Sequence, residues 1–87
     1  QTNQIVIGYN AIGLGSNTAV LGNNSIVTTQ LKGNVGIGTT SPTSKLEVDS
    51  GDIEIHDSAN GLILRSPNGT RYRVQVDDSG NLTTTAV

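Results

Sequence analysis

Three consecutive heptads form the most regular part of the chain: Ile7-Gly8-Tyr9-Asn10-Ala11-Ile12-Gly13, Leu14-Gly15-Ser16-Asn17-Thr18-Ala19-Val20 and Leu21-Gly22-Asn23-Asn24-Ser25-Ile26-Val27. In each one a branched aliphatic residue precedes the first glycine, and an asparagine follows that glycine two places later. Self-similarity at a fixed spacing is the mark of structures in which each unit stacks on the last. The pattern predicts a rod of stacked units, a form that presents or separates other groups more often than it catalyses.

This heptad predicts short strands, not a coiled coil. A coiled-coil seam needs strong helix formers, whereas residues 1–34 are rich in Gly, Asn, Ser, Thr, Ile and Val. Each glycine inside a helix costs about 1 kcal/mol. The alternative is a series of three- or four-residue strands broken by tight turns, with two heptads making one turn of a β-roll. In such turns glycine supplies positive φ, and asparagine tolerates it or forms side-chain ladders. The predicted turn positions are Gly8, Gly15, Gly22, Asn10, Asn17 and Asn24.

Residues 5–27 resemble the repeats in the heads of trimeric autotransporter adhesins, in both spacing and residue types. In that family successive repeats form a left-handed β-roll, and three chains pack together. The resemblance therefore implies a homotrimer with a β-roll or β-helix-like shaft.

Residues 34–48 are similar to a linker of phage tail fibres and related surface fibres, which joins a repetitive shaft to a more distal module. The carrying segment is Asn34-Val35-Gly36-Ile37-Gly38-Thr39-Thr40-Ser41-Pro42-Thr43-Ser44-Lys45-Leu46-Glu47-Val48. Ser41 followed by Pro42 is a good N-cap and first-turn pair, which favours a single helical turn at 42–45. Gly36 and Gly38 also fit the start of a phosphate loop, but the remaining residues of the nucleotide signatures are absent.

After Val48 the hydrophobic period changes to two, which predicts an antiparallel β-meander of four strands. The strands are expected at 52–56, 62–64, 70–76 and 82–86, separated by turn-forming residues at 57–61, 66–69 and 78–81. A single small sheet with one apolar face needs a partner, and three copies around a threefold axis would give a β-prism-like module. Residues 61–76, with the ending Asp78-Ser79-Gly80-Asn81-Leu82, also resemble a short terminal module of phage fibre proteins.

Composition favours an obligate oligomer independently of these resemblances. The chain has no Phe, Trp, Met or Cys, and its apolar content is almost entirely Ile, Leu and Val. Burial between chains is the natural way to stabilise so small a set of side chains. The formal charge of −2 is interspersed and there is no basic stripe, so nucleic-acid binding is not supported. No apolar run approaches the length of a membrane span.

The chain has few residues that could act in catalysis or bind a metal. The single histidine, His56, is expected to face solvent on its strand. Phage fibres that bind a metal on their threefold axis generally use a His-x-His pair, and this chain has Glu54-Ile55-His56 instead. The nearby acids lack the spacing of a calcium loop and favour a solvated edge: Asp49, Asp52, Glu54 and Asp57. We therefore predict no enzyme activity, no cofactor and no metal.

Binding residues are expected in the distal half, on turns held by a rigid scaffold. Turns 57–61 and 77–81 should share one end of an up-and-down meander, which brings together Asn60, Asp78 and Asn81 as contacts for sugar hydroxyls. Arg71 and Arg73 share a strand face and form a usable sugar or carboxylate contact set, with Tyr72 on the opposite face. One alternative is that the turn residues are chosen for conformation alone. The other is that the arginines form cross-strand ion pairs with Glu54 or Asp77, or supply edge-strand charge that opposes aggregation.

The sequence as a whole predicts an all-β homotrimeric fibre in three parts. These are a repetitive β-roll shaft at 1–34, a linker at 35–48 and a terminal antiparallel module at 49–87. The expected role is attachment, in an extracellular phage tail fibre or similar cell-surface appendage, with a host-surface glycan and other fibre or baseplate proteins as partners. The alternative is a fragment of a bacterial trimeric adhesin.

Overall fold

The computed structural model describes residues 2–87, and in that range it contains strands and turns but no helix. The strands are β1 (Ile5–Ile7), β2 (Ala19–Leu21), β3 (Val35–Ile37), β4 (Leu46–Val48), β5 (Leu62–Arg65), β6 (Arg71–Val76) and β7 (Leu82–Ala86). They form three separate small sheets, β1-β2, β3-β4 and β5-β6-β7. The all-β prediction is confirmed. Gln1, the first residue of the predicted shaft, lies outside the described residues.

The first sheet joins segments that are two heptads apart in sequence. β1 and β2 are parallel, with Ile5 opposite Ala19 and Ile7 opposite Leu21. Side chains repeat the same offset, since the Asn3 amide donates to Oδ1 of Asn17 at 3.2 Å. This is the asparagine ladder that the heptads predicted. Two heptads therefore carry the chain from one strand to the equivalent position on the next.

The second sheet places the linker segment in a parallel pair. β3 and β4 lie side by side with Val35 opposite Leu46 and Ile37 opposite Val48. The predicted helical turn at 42–45 is wrong, because these residues form bends without helical hydrogen bonding. The eight-residue connection must return the chain to the start of a parallel partner, and it does so through a series of bends. The Thr43 N–H donates to the Glu47 carboxylate at 2.8 Å, so it takes no part in a helical turn.

The third sheet is antiparallel and has three strands, not the four that we predicted. β6 is central, with β5 and β7 as its neighbours. Residues 52–56 do not form a strand. Ile53 and Ile55 do share one side, as their alternation predicted, but they line a groove with Val74, Val76 and Leu82. Residues 52–56 thus run beside the sheet without pairing along its edge, and Ile53 and Ile55 stay 67% and 43% exposed.

The third sheet has one apolar and one cationic face. Cross-strand pairs show that the apolar face carries Leu62, Leu64, Tyr72, Val74, Val76, Leu82, Thr84 and Ala86. The opposite face carries Ile63, Arg65, Arg71, Arg73, Gln75, Thr83 and Thr85. Leu62, Ile63 and Leu64 therefore alternate between faces, and Tyr72 points away from the arginines, as predicted. Both faces lack a covering layer within the described part of the chain.

No side chain in residues 2–87 is buried. The exposed fraction is 78% for Leu14 in the heptads and 79% for Leu82 in the third sheet. The radius of gyration is 17.1 Å, whereas a compact chain of this length has a value of about 12 Å. Residues 2–87 thus have strands and apolar faces, but no hydrophobic core.

Candidate functional site

Two distal turns lie at the same end of the third sheet, as the sequence predicted. Residues 57–61 lead into Leu62, which pairs with Val74, and residues 77–81 connect Val76 to its partner Leu82. The Gln75 side-chain amide donates to the Ser58 carbonyl at 2.8 Å and ties the first turn to β6. Together these turns form what we call the distal loop end.

The 77–81 turn is organised around the Asp77 carboxylate. Its Oδ1 accepts hydrogen bonds from the N–H groups of Ser79 and Asn81, each at 2.9 Å. The Asn81 side-chain amide donates to Oδ2 at 3.3 Å. Because the Asn81 N–H and the other donors favour the charged form, they hold the pKa of Asp77 below its ordinary value. The turn is therefore built by an ionised carboxylate that is engaged locally.

The three predicted sugar contacts fall into two groups. Asn81 uses its backbone N–H and its side-chain amide to hold Asp77, so it has a structural role in the turn. Asn60 and Asp78 are exposed at the distal loop end, and Asn60 lies beside the apolar groove of Ile53 and Ile55. The structure brings all three to one end of the sheet. Their role in binding stays a prediction.

The two predicted arginines lie on the cationic face, in the middle strand. Arg73 is half-buried and faces Ile63 and Thr85 across the ladder, while Arg71 is exposed. Ion pairs of these arginines with Glu54 or Asp77, the alternative interpretation, are not formed within residues 2–87, where Glu54 instead lies 4.0 Å from His56.

Arg65 is the residue that the sequence prediction omitted. It lies directly opposite Arg71 in the β5-β6 ladder. The sequence does contain a signal for this pairing, since the Ser66-Pro67-Asn68-Gly69 turn sets which residues on either side of it face each other. The cationic face thus carries three guanidinium groups, of which we had identified two.

His56 and its acidic neighbours lie on the extended segment 52–56. The His56 Nδ1 to Glu54 Oε2 distance is 4.0 Å, and the two side chains are 99% and 83% exposed. His56 faces solvent as predicted, although not from a strand. In residues 2–87 no group of three or more His, Cys, Asp or Glu side chains is placed to hold a metal ion. A metal shared between chains on a threefold axis remains untested.

The predicted heptad turn residues mostly adopt the expected backbone conformation. Gly8, Gly15 and Gly22 have φ of 131°, 117° and 95°, and Asn10 and Asn17 have φ of 54° and 62°. Asn24 differs, since it lies in a turn without positive φ. In that heptad the preceding asparagine, Asn23, makes the turn by accepting a hydrogen bond from the Ser25 N–H at 2.8 Å. The repeat therefore shifts by one residue in its third heptad.

Comparison of the chain with protein-family models, with characterised proteins and with solved structures finds no match. Across residues 2–87 there is also no helix of the length and apolarity that crossing a membrane requires. The functional proposal therefore depends on the geometry of this chain and on the resemblances of its motifs.

Proposed function

We propose that this protein is a structural and attachment component of a trimeric extracellular fibre, either a phage tail fibre or a similar surface appendage. The observation that carries the proposal is the absence of any buried side chain in residues 2–87. Ordered strands whose aliphatic residues are partly or largely exposed are unstable in water unless something covers them. Other copies of the same chain are the partner that is always present at matching concentration.

The exposed area supports obligate association. The chain exposes 7490 Å², whereas a compact folded monomer of its mass exposes about 4,900 Å². The surplus of about 2,600 Å² per chain, shared over the three interfaces of a trimer, gives about 2,600 Å² for each interface. That area falls within the range of obligate assemblies, roughly 2,000–5,000 Å². The number of chains is taken from the trimeric families that residues 5–27 and 34–48 resemble.

The parallel pairing of β1 and β2 supports a β-roll shaft. Its offset of two heptads is the one expected if the chain completes one turn of a roll and returns to stack on itself. The third sheet supports a β-prism-like terminal module, because its apolar face has the alternation needed to meet two equivalent faces at an axis. Its cationic face and the distal loop end would then point outward.

A bacterial trimeric adhesin is the second candidate, and the first sheet is the observation that favours it. Residues 5–27 resemble adhesin-head repeats, and the β1-β2 register has the spacing that such repeats imply. The linker and terminal module resemble phage fibre segments, which is why we place the phage fibre first. Both candidates share one mechanism, in which a stiff trimer presents three copies of a weak contact and avidity replaces a deep pocket.

Sedimentation of the 87-residue chain tests the proposal. We expect a homotrimer at micromolar concentration, with resistance to heat and to SDS, and binding of that trimer to whole cells. A monomer that keeps the circular dichroism of a folded β-protein would contradict the assembly. A stable trimer that binds no cell surface would make this segment a spacer, with attachment located elsewhere in the parent fibre.

A further inference from the structure

The cationic face of the third sheet concentrates most of the positive charge of the chain. The protein has five Lys and Arg residues, and three of them, Arg65, Arg71 and Arg73, project from this one face. Within residues 2–87 none of the three forms an ion pair. No acidic residue lies on the same face of the paired strands. The clustering is therefore not balanced by carboxylates of the same sheet.

The position of Arg65 opposite Arg71 is unfavourable without an anion. Residues that face each other across an antiparallel ladder have Cα atoms about 4.5–5.5 Å apart, and like charges at such positions destabilise a sheet. Arg73 follows Arg71 on the same face at a spacing of about 6.8 Å. The Cα atoms of the three arginines thus lie within about 10 Å of one another on one face. Arg65 Nη1 donates to the Gly69 carbonyl at 3.4 Å, and each guanidinium group has further N–H donors that one or two oxyanions could accept.

We infer that this face binds an acidic polysaccharide through its carboxylate or phosphate groups. Guanidinium groups pair with both oxyanions through two parallel hydrogen bonds. The hydroxyl groups of Thr83 and Thr85 lie on the same face, where they can donate to or accept from sugar hydroxyls. Ile63, 38% exposed and opposite Arg73, offers an apolar contact for the carbon face of a sugar ring.

An acidic polysaccharide fits this face better than a protein partner does. Protein interfaces are anchored by aromatic or aliphatic side chains in desolvated pockets, and the cationic face exposes a single large aliphatic residue, Ile63. The inference depends on the proposed function in one respect. In the proposed assembly the apolar face is covered by other copies of the chain, which leaves the arginines on the outer face.

The first experiment measures binding of the full 87-residue chain to immobilised polysaccharides at low salt. The probes are polygalacturonate, which carries carboxylates, phosphomannan, which carries phosphates, and neutral dextran. We expect at least one acidic probe to bind about tenfold or more tightly than dextran, since each charge-assisted contact contributes about that factor. The preferred acidic probe identifies the oxyanion. Equal binding to dextran, or to duplex DNA, would overturn the inference.

Matched charge changes separate this face from general electrostatic attraction. The double variant Arg65→Gln, Arg71→Gln removes two positive charges from the face, and Lys32→Gln, Lys45→Gln removes two from elsewhere in the chain. We expect a loss of about tenfold or more for the arginine pair and little change for the lysine pair. If the arginine pair fails to assemble, Arg71→Lys keeps the charge, loses the paired hydrogen bonds and should still weaken binding severalfold.

Sedimentation of every variant distinguishes the two proposals. Equal losses for the two double variants, or no binding to either acidic probe by an intact trimer, would overturn the polysaccharide site and leave the fibre proposal standing. A folded monomer would instead contradict the fibre proposal, and an acidic polysaccharide bound by that monomer would leave the arginine site standing.

Discussion

The first and third sheets hold their strands in register by different means. In the first sheet, parallel strands are separated by two heptads, and the repeat itself aligns equivalent residues, down to the bond between Asn3 and Asn17. In the third sheet, antiparallel strands are aligned by the turns between them, of which the Asp77 turn is an example. In a repeat the backbones of successive units lie against each other, so the substitutions it tolerates are limited by steric overlap. A turn fixes the register through a few polar groups, so the substitutions it tolerates are limited by backbone conformation and by electrostatics.

Substitution of Gly61 should give the largest effect, and it would show that the third sheet has a steric limit too. A Cβ at this position would overlap the Val74 carbonyl of the neighbouring strand. We expect Gly61→Ala to reduce the free energy of unfolding by about 3 kcal/mol, since the backbone must shift. Denaturant titration of the assembled protein at fixed concentration measures this. Gly33→Ala is the control for loss of a glycine, because Gly33 has no positive φ and no atom lies within 4 Å of its Cβ position.

Substitutions at Gly8 and Gly15 distinguish the cost of steric overlap from the cost of backbone strain in the first sheet. Both have positive φ, but a Cβ on Gly8 would lie 3.1 Å from the Gly22 Cα, whereas nothing lies within 4 Å of one on Gly15. We expect Gly15→Ala to cost about 1–2 kcal/mol through strain alone, and Gly8→Ala to cost about 1 kcal/mol more.

The same denaturant titration compares these variants with Ser16→Ala, a neighbouring turn position that is not a glycine. Gly15→Val should also destabilise far more than Ser16→Val. If the Gly15 and Ser16 variants are equally stable, the positive φ at Gly15 has no energetic consequence, and the heptad turns are not what holds the repeat.

What the sequence predicted correctly depended on local chemistry. Glycine and asparagine spacing predicted the heptad turns and the offset of β1 and β2, and alternation predicted the faces of β6. The errors arose where a segment has two choices of partner. Residues 52–56 alternate as a strand does, but they do not pair with an edge, and Ile53 and Ile55 only line a groove beside the apolar face. Ser41 and Pro42 suit a helical turn, but the chain must return to a parallel partner for β3, and it does so through bends.

The candidate site was predictable to the same extent. Arg71 and Arg73 were identified from alternation within one strand, which is local information. Alternation does not identify Arg65, because its relation to Arg71 depends on the register across the 66–69 turn. Asn81 was assigned to sugar binding because short polar side chains suit both roles. Only the hydrogen bonds to Asp77 distinguish a turn former from a ligand.

The smallest predicted effect is electrostatic and concerns the Asp77 turn. Hydrogen bonds from Asn81 and other donors lower the folded-state pKa of Asp77 below its unfolded value, which is about 3.9 for an aspartate. A carboxyl of lowered pKa stabilises the fold above the unfolded value, and that contribution is lost as the pH falls through the folded pKa. We therefore expect part of the acid destabilisation below about pH 4 to come from Asp77. Asp77→Asn keeps an acceptor oxygen but cannot titrate. The denaturant midpoint of this variant should therefore fall less between neutral pH and acid than that of the wild type.

Asp78→Asn is the matched control, since it removes an adjacent carboxylate that makes none of these hydrogen bonds. If both variants show the same acid dependence, the turn fixes the β6-β7 register through conformation alone, and the electrostatic half of the contrast between the two sheets is lost.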